Sequence, residues 1–202
     1  MQYTVDDIKV VSWPEPVRTR PSMYYRHLGN EGCTWLLEAV LESILNTKCG
    51  CNANTVEVRY TRHNEVIIEY DGQGMPANYS TEGGIPQPVI YRVLMGLSCI
   101  ELTEEDIKKY GHLAEIGAIF NAACKVLRIY SVSKDKSYAV NFYKGCISSP
   151  LSESSDGITL NKLQFQFDVS VLGEFEISES MLKAITENLQ SRYPEKQVKY
   201  VD

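Results

Sequence analysis

Hydrophobic positions recur at helical spacing through much of the first half of the chain and alternate with polar ones in the second. Leu36, Leu37, Val40, Leu41, Ile44 and Leu45 form a wide apolar stripe that predicts a helix from Thr34 to Thr47, closed by Gly50. TVEVRY (Thr55 to Tyr60) alternates as a strand, and Arg62, His63 and Asn64 supply the turn into a second, β-branched run from Val66 to Tyr70. Glu82 to Pro88 reads as a glycine and proline loop, and Val89 to Leu97 resumes helical spacing. Thr103 with Glu104, Glu105 and Asp106 opens a helix in the capping style, and Ala118 to Ala123 is a helix of small apolar residues. From Lys125 the texture is that of strands: VLRIYSV, SYAVNFYKG and GITLNKLQFQF, a pattern that predicts an antiparallel run. Ser178 or Ser180 caps a last helix striped by Met181, Ile185 and Leu189, and QVKYV reads as an edge strand.

The start of the chain is less regular. Thr4 caps a short helix with Asp6 and Asp7 in its first turn, ended by Pro14 and Pro16. Pro16 to Gly29 then reads as a loop or arm with a basic edge at Arg18 and Arg20, solvated by default.

Composition narrows the class. At 202 residues and 44% hydrophobic content the chain suffices for the core of one domain, residues 1–202: an N-terminal helix and arm (1–30), helices and strands of a site (31–124), and a strand-rich part with the final helix (125–202). A net charge of -6 argues against strong direct binding to nucleic acid. The six cysteines lack zinc-site spacing, so reduced thiols are expected. Neither a membrane span nor a signal peptide is legible, and a cytoplasmic location is expected.

Two places carry candidate chemistry. In VIIEYDGQGMP the strand delivers Asp71 to its end, and Gly72 and Gly74 let the backbone turn and let a flat ligand approach. A strand-end carboxylate accepts from an amino group, although D-G-x-G is also an ordinary turn. On the predicted helix, Glu38, Glu42 and Asn46 follow at i, i+4 and i+8. Two acids one turn apart read either as a solvated face or as a carboxylate pair at a cleft, one a base and the other near a cation.

Taken in order, V-R-x-R-P-x-M-Y (Val17 to Tyr24), E-x-V-x-x-S-I (Glu38 to Ile44), D-G-x-G-x-P (Asp71 to Pro76) and G-x-L-x-x-x-G before N-A (Gly111 to Ala122) resemble the N-terminal ATPase domain of DNA gyrase B, of the GHKL family. The resemblance implies an α+β fold, the two-layer α/β sandwich of the GHKL (Bergerat) type, with a mixed, mostly antiparallel sheet covered by helices. It implies ATP and Mg2+ as cofactors. Glu38 falls at the water-activating base, Asp71 at the adenine amino group with Gly74 and Pro76 beside it, and Gly111 and Gly117 in the phosphate lid.

The departures concern the phosphates. Glu42 stands where the family holds its magnesium-ligating asparagine, and Asn46 and Gln73 replace a facing acid and arginine. The lid interval reads GHLAEIG, in which His112 and Glu115 do not offer the bare amides that glycines give. The family's supporting threonine falls on Ile158, with Thr159 one place off on the opposite strand face. The reading that follows is an adenine-nucleotide-binding module with weak or absent hydrolysis. Its alternatives are a pseudo-ATPase that docks on a protein partner or a second copy, and one piece of a split type II topoisomerase.

Overall fold

The computed structural model describes residues 12–46, 51–61, 65–80, 87–96, 116–133, 136–154 and 159–202. The Thr4 helix, the turn at 62–64, the helix opened by Thr103, and Gly111 with His112, Leu113 and Glu115 lie outside them.

Six helices and nine strands appear among the described residues: α1 (Glu15–Thr19), α2 (Gly29–Leu45), α3 (Val89–Met95), α4 (116–123), α5 (Val169–Leu172) and α6 (Glu179–Arg192), with β1 (Thr55–Tyr60), β2 (Val66–Tyr70), β3 (Tyr79–Ser80), β4 (Gln87–Pro88), β5 (Cys124–Ser133), β6 (Lys136–Tyr143), β7 (Cys146–Ser154), β8 (Asn161–Phe167) and β9 (Gln197–Tyr200). Seven strands form one sheet in the order β7-β6-β5-β8-β2-β1-β9. All neighbours pair antiparallel except β1 and β9, which run parallel. The sheet is therefore mixed and mostly antiparallel, as the resemblance implies.

Alternation decides its two faces. Val56, Val58, Val66, Ile68 and Tyr70 of β1 and β2 join Leu163 and Phe165 of β8 and the apolar stripe of α2 in the core. The opposite face carries Glu57, Arg59 and Glu69, tied by ion pairs of 2.9 Å (Arg59 to Glu57) and 2.8 Å (Arg59 to Glu69). Such half-exposed pairs each contribute little to stability, so the two-layer core carries it.

The arm differs from its expectation. Pro16 to Gly29 is not simply a solvated loop: α1 and a 3-10 turn at Pro21–Met23 fold its first half and Val17 and Tyr25 are buried, while Arg20 and residues 26–28 stay exposed. Arg18 donates to the Ala122 carbonyl at 2.8 Å and to Asp168 Oδ2 at 2.5 Å, and the Tyr25 hydroxyl donates to the Ile119 carbonyl at 2.9 Å. The last four carbonyls of a helix lack partners within it, and in α4 Arg18 supplies one for Ala122 while the Asp168 amide supplies one for Ala123 at 2.8 Å.

Two further differences have local causes. Helix α2 begins at Gly29, ahead of Thr34; its first turn carries little apolar stripe and so escapes the periodicity, and it is tied instead by Asn30 Oδ1, which accepts from the Glu176 amide at 2.7 Å. Strand β7 escapes the periodicity because it is an exposed edge, where Pro150 is tolerated. Ser178 caps α6, its hydroxyl accepting from the Met181 amide at 3.2 Å.

Candidate functional site

Strand β2 ends as expected on Asp71, and the loop that follows is tied to three strands. The Asp71 amide donates to the Thr55 carbonyl at 3.2 Å and the Gln73 amide to the Cys51 carbonyl at 2.8 Å, so the turn folds back over the start of β1. Asp71 Oδ1 accepts from the amides of Asn54 (2.6 Å) and Thr55 (2.9 Å), which leaves Oδ2 for other partners. Gly72 has φ +87°, a conformation open to glycine at little cost, and a Cβ there would collide with the Cys51 carbonyl oxygen.

Gly74 is needed for a different reason from the one its motif suggests. A Cβ at this position would collide with Ser131 Oγ and lie 2.5 Å from Asn161 Oδ1 and 2.7 Å from the Val132 carbonyl oxygen. The close approach is thus made by the protein's own β5 and β8. Pro76 is buried, and its carbonyl accepts from the Ile90 amide at 3.0 Å, which fixes the start of α3 on the loop.

Sequence reasoning missed two residues at this loop. Asn161, the first residue of β8, is buried; its Nδ2 donates to the Gly72 carbonyl at 3.2 Å, and its Oδ1 accepts from the Val132 amide at 2.7 Å. It stands opposite Tyr70 in the ladder. Counting back from Phe165 along the alternating run would have found it. Thr159, by contrast, is exposed and lies before the strand. Tyr70, directly before Asp71, sends its ring into the core, where its oxygen lies 3.6 Å from Cys51 Sγ. Burial, then the neighbouring Cys51, holds the Tyr70 hydroxyl well above its ordinary range, so it stays protonated.

On α2 the two acids fare differently. Glu38 is half-buried and has no hydrogen-bond or ion-pair partner among the described residues. Glu42, one turn on, is engaged by Arg192 at the end of α6. The carboxylate expected at a metal is therefore met by a guanidinium of the chain. Among the described residues no group of three or more His, Cys, Asp or Glu side chains could hold a metal ion. Gly117 in α4 is buried, and a Cβ there would meet the Val93 carbonyl oxygen at 2.8 Å, so this glycine lets α4 pack on α3.

Two cavities among the described residues lie away from these groups, one at the ends of β1 and β8 and one between α6 and β9. Among the described residues no helix is long and apolar enough to cross a membrane.

Known proteins resemble the chain in both sequence and fold. It is 31% identical over 152 residues to the B subunit of the type 2 topoisomerase of Aquifex aeolicus, covering 74% of this chain and 19% of that protein. To DNA gyrase B of Thermus thermophilus it is 27% identical over 189 residues, covering 91% and 30%. The chain thus spans less than a third of the length of these relatives. No family model matches it. Among solved structures, the topoisomerase IV ATP-binding domain of Francisella tularensis with a small-molecule inhibitor superposes with TM-score 0.70 at 18% identity, covering 94% of this chain and 89% of that one. The 43K ATPase domain of Thermus thermophilus gyrase B with an aminocoumarin gives TM-score 0.64 at 21% identity, covering 85% and 44%. On this likeness in sequence and fold, the chain belongs to the GHKL family as a relative of the gyrase B ATPase domain.

Proposed function

We propose that this chain is an adenine-nucleotide-binding module of the gyrase-B type in which hydrolysis is weak or absent. The contrast along α2 carries the reading. Glu38, half-buried and without a hydrogen-bond or ion-pair partner among the described residues, keeps its carboxylate available at the position where the resemblance implies a base. Its neighbour Glu42 is neutralised by Arg192, which weakens a claim on magnesium. Asp71, with Gly74 and Pro76 behind it, would offer Oδ2 to an adenine amino group, and Gly111 and Gly117 would border the phosphates. Thr159 stands too exposed to share in that site, and Asn161 takes its place against the loop.

Calorimetry with ATP and ADP, with and without magnesium, tests this. Saturable binding that depends little on magnesium, with phosphate release near background, is expected. A flat titration at millimolar nucleotide overturns the reading.

A second reading is favoured by the loop itself. Ser131 and Asn161 fill the space beside Gly74, and one Asp71 oxygen is already engaged. A pseudo-ATPase would keep this loop as a brace and dock on a protein partner or a second copy, cytoplasmic like the enzyme it would serve. Magnesium-dependent turnover lost in Glu38→Ala rules against it. A split topoisomerase would additionally require a second chain that restores DNA cleavage on mixing.

A further inference from the structure

Lys196, in the turn between α6 and β9, is 5% exposed and has no ion-pair partner among the described residues. An ammonium taken out of water costs the fold unless its donors are met, and here neutral oxygens meet them: Nζ donates to Asn52 Oδ1 at 3.1 Å and to Asn54 Oδ1 at 3.3 Å. The main chain of the lysine is itself held on both sides, its amide donating to the Tyr193 carbonyl at 3.0 Å and its carbonyl accepting from Gln190 Nε2 at 2.9 Å. Gln190 Oε1 also accepts from the Val198 amide at 2.8 Å, so one side chain of α6 brackets the turn.

The segment that Lys196 grips is the one that grips Asp71. Asn54 is exposed, yet three of its polar groups are committed: its amide donates to Asp71 Oδ1 at 2.6 Å, its carbonyl accepts from the Gln197 amide at 2.7 Å, and its side chain takes Lys196. Asn52 has φ +47°, a left-handed backbone that asparagine tolerates better than most residues, and the same ammonium holds its side chain. Among the described residues no other group bonds to either asparagine side chain.

We infer that Lys196 is a positioning residue for Asp71. By fixing Asn52 and Asn54 it fixes the amides of Asn54 and Thr55 that take Asp71 Oδ1, and so sets Oδ2 as the oxygen left for a ligand. Its consequence, selectivity for a purine that carries a 6-amino group, rests on the nucleotide reading proposed above. A carboxylate held in one orientation separates an amino donor from a carbonyl oxygen at that position, and one free to rotate separates them less.

The test combines amide hydrogen exchange of the full chain without nucleotide and calorimetry with ATP and with ITP, which has an oxygen in place of the 6-amino group. In Lys196→Met the amides of Asn54 and Thr55 should exchange about 10-fold faster, and the preference for ATP over ITP should fall about 10-fold. The amides of Ile129 and Leu163, in the middle of the sheet, should keep their wild-type rates. Asn54→Ala, a change at an exposed residue that keeps the amide, should reproduce both effects in smaller measure, and it carries the test should the methionine variant not fold. Unchanged exchange at Asn54 and Thr55, or ATP and ITP weakened equally, overturns the proposal, since a lysine that only stabilises the turn lowers both nucleotides together. A flat wild-type titration with both nucleotides counts against the nucleotide reading alone, and exchange at Asn54 and Thr55 then decides whether Lys196 positions Asp71.

Discussion

Arg192, in the last turn of the C-terminal helix, closes on the carboxylate of Glu42, one helical turn from Glu38, which has no partner among the described residues. The pair joins α6 to α2 and removes one of two like charges that would otherwise repel along the helix. Arg192→Ala should lower stability by about 0.5–1 kcal/mol, since both side chains are partly exposed. It should also make any nucleotide binding more sensitive to magnesium, because it frees a carboxylate. Urea denaturation and paired calorimetric titrations check both effects.

Arg18 and Asp168 present a deeper version of the same interaction. Their side chains are 14% and 8% exposed, and Arg18 reaches the Ala122 carbonyl as well. Arg18→Met should cost roughly 3 kcal/mol, chiefly because it leaves an almost buried carboxylate without its cation. Equilibrium unfolding at neutral pH measures it.

The same pair sets a pH dependence. Burial alone would raise the Asp168 carboxyl, but hydrogen bonds from the Arg18 guanidinium and from Ser170 outweigh it and hold the group below the usual carboxylate range. A depressed folded value means that its contribution is present above the unfolded value near about 4 and is lost as pH falls through the folded one. Wild-type stability should therefore drop on acidification below about pH 4, and Asp168→Asn should flatten that part of the profile. An unchanged profile in the variant would contradict this assignment.

Gly74→Ala should destabilise by about 2–3 kcal/mol, because its Cβ would collide with Ser131 Oγ, Asn161 Oδ1 and the Val132 carbonyl together. Two of these contacts are hydrogen-bonded and the third is backbone, so none yields easily. Thermal unfolding with and without nucleotide separates this structural cost from any loss of binding.

Asp71 allows a cleaner separation. Asp71→Asn keeps an oxygen for the Asn54 and Thr55 amides, whereas Asp71→Ala removes it and should cost about 1–2 kcal/mol. Near-native stability in the asparagine variant, combined with weakened ATP binding, would assign the carboxylate to ligand recognition. Unaltered ATP binding in that variant would leave it only its bracing of β1.

Much of the fold was legible because its signals are local. The stripe of Leu36 to Leu45 and the alternation of Val56 with Val58 and of Leu163 with Phe165 each report a buried face within a few residues. The edge strand β7 and the arm were not legible. The first is polar because it lies in solvent, and the second is ordered by carbonyls of α4 nearly a hundred residues away.

The sequence alone determined which residues have a face to bury and where the backbone must turn through glycine, since periodicity and positive φ are properties of neighbouring residues. Only the tertiary structure decided what the polar groups do. It set Asn161 rather than Thr159 against the loop, turned Arg192 onto Glu42, left Glu38 without a partner among the described residues and aimed one oxygen of Asp71 at β1. Those outcomes rest on distances of a few ångströms between segments far apart in the chain, and a charge or a hydrogen bond takes its role from such distances.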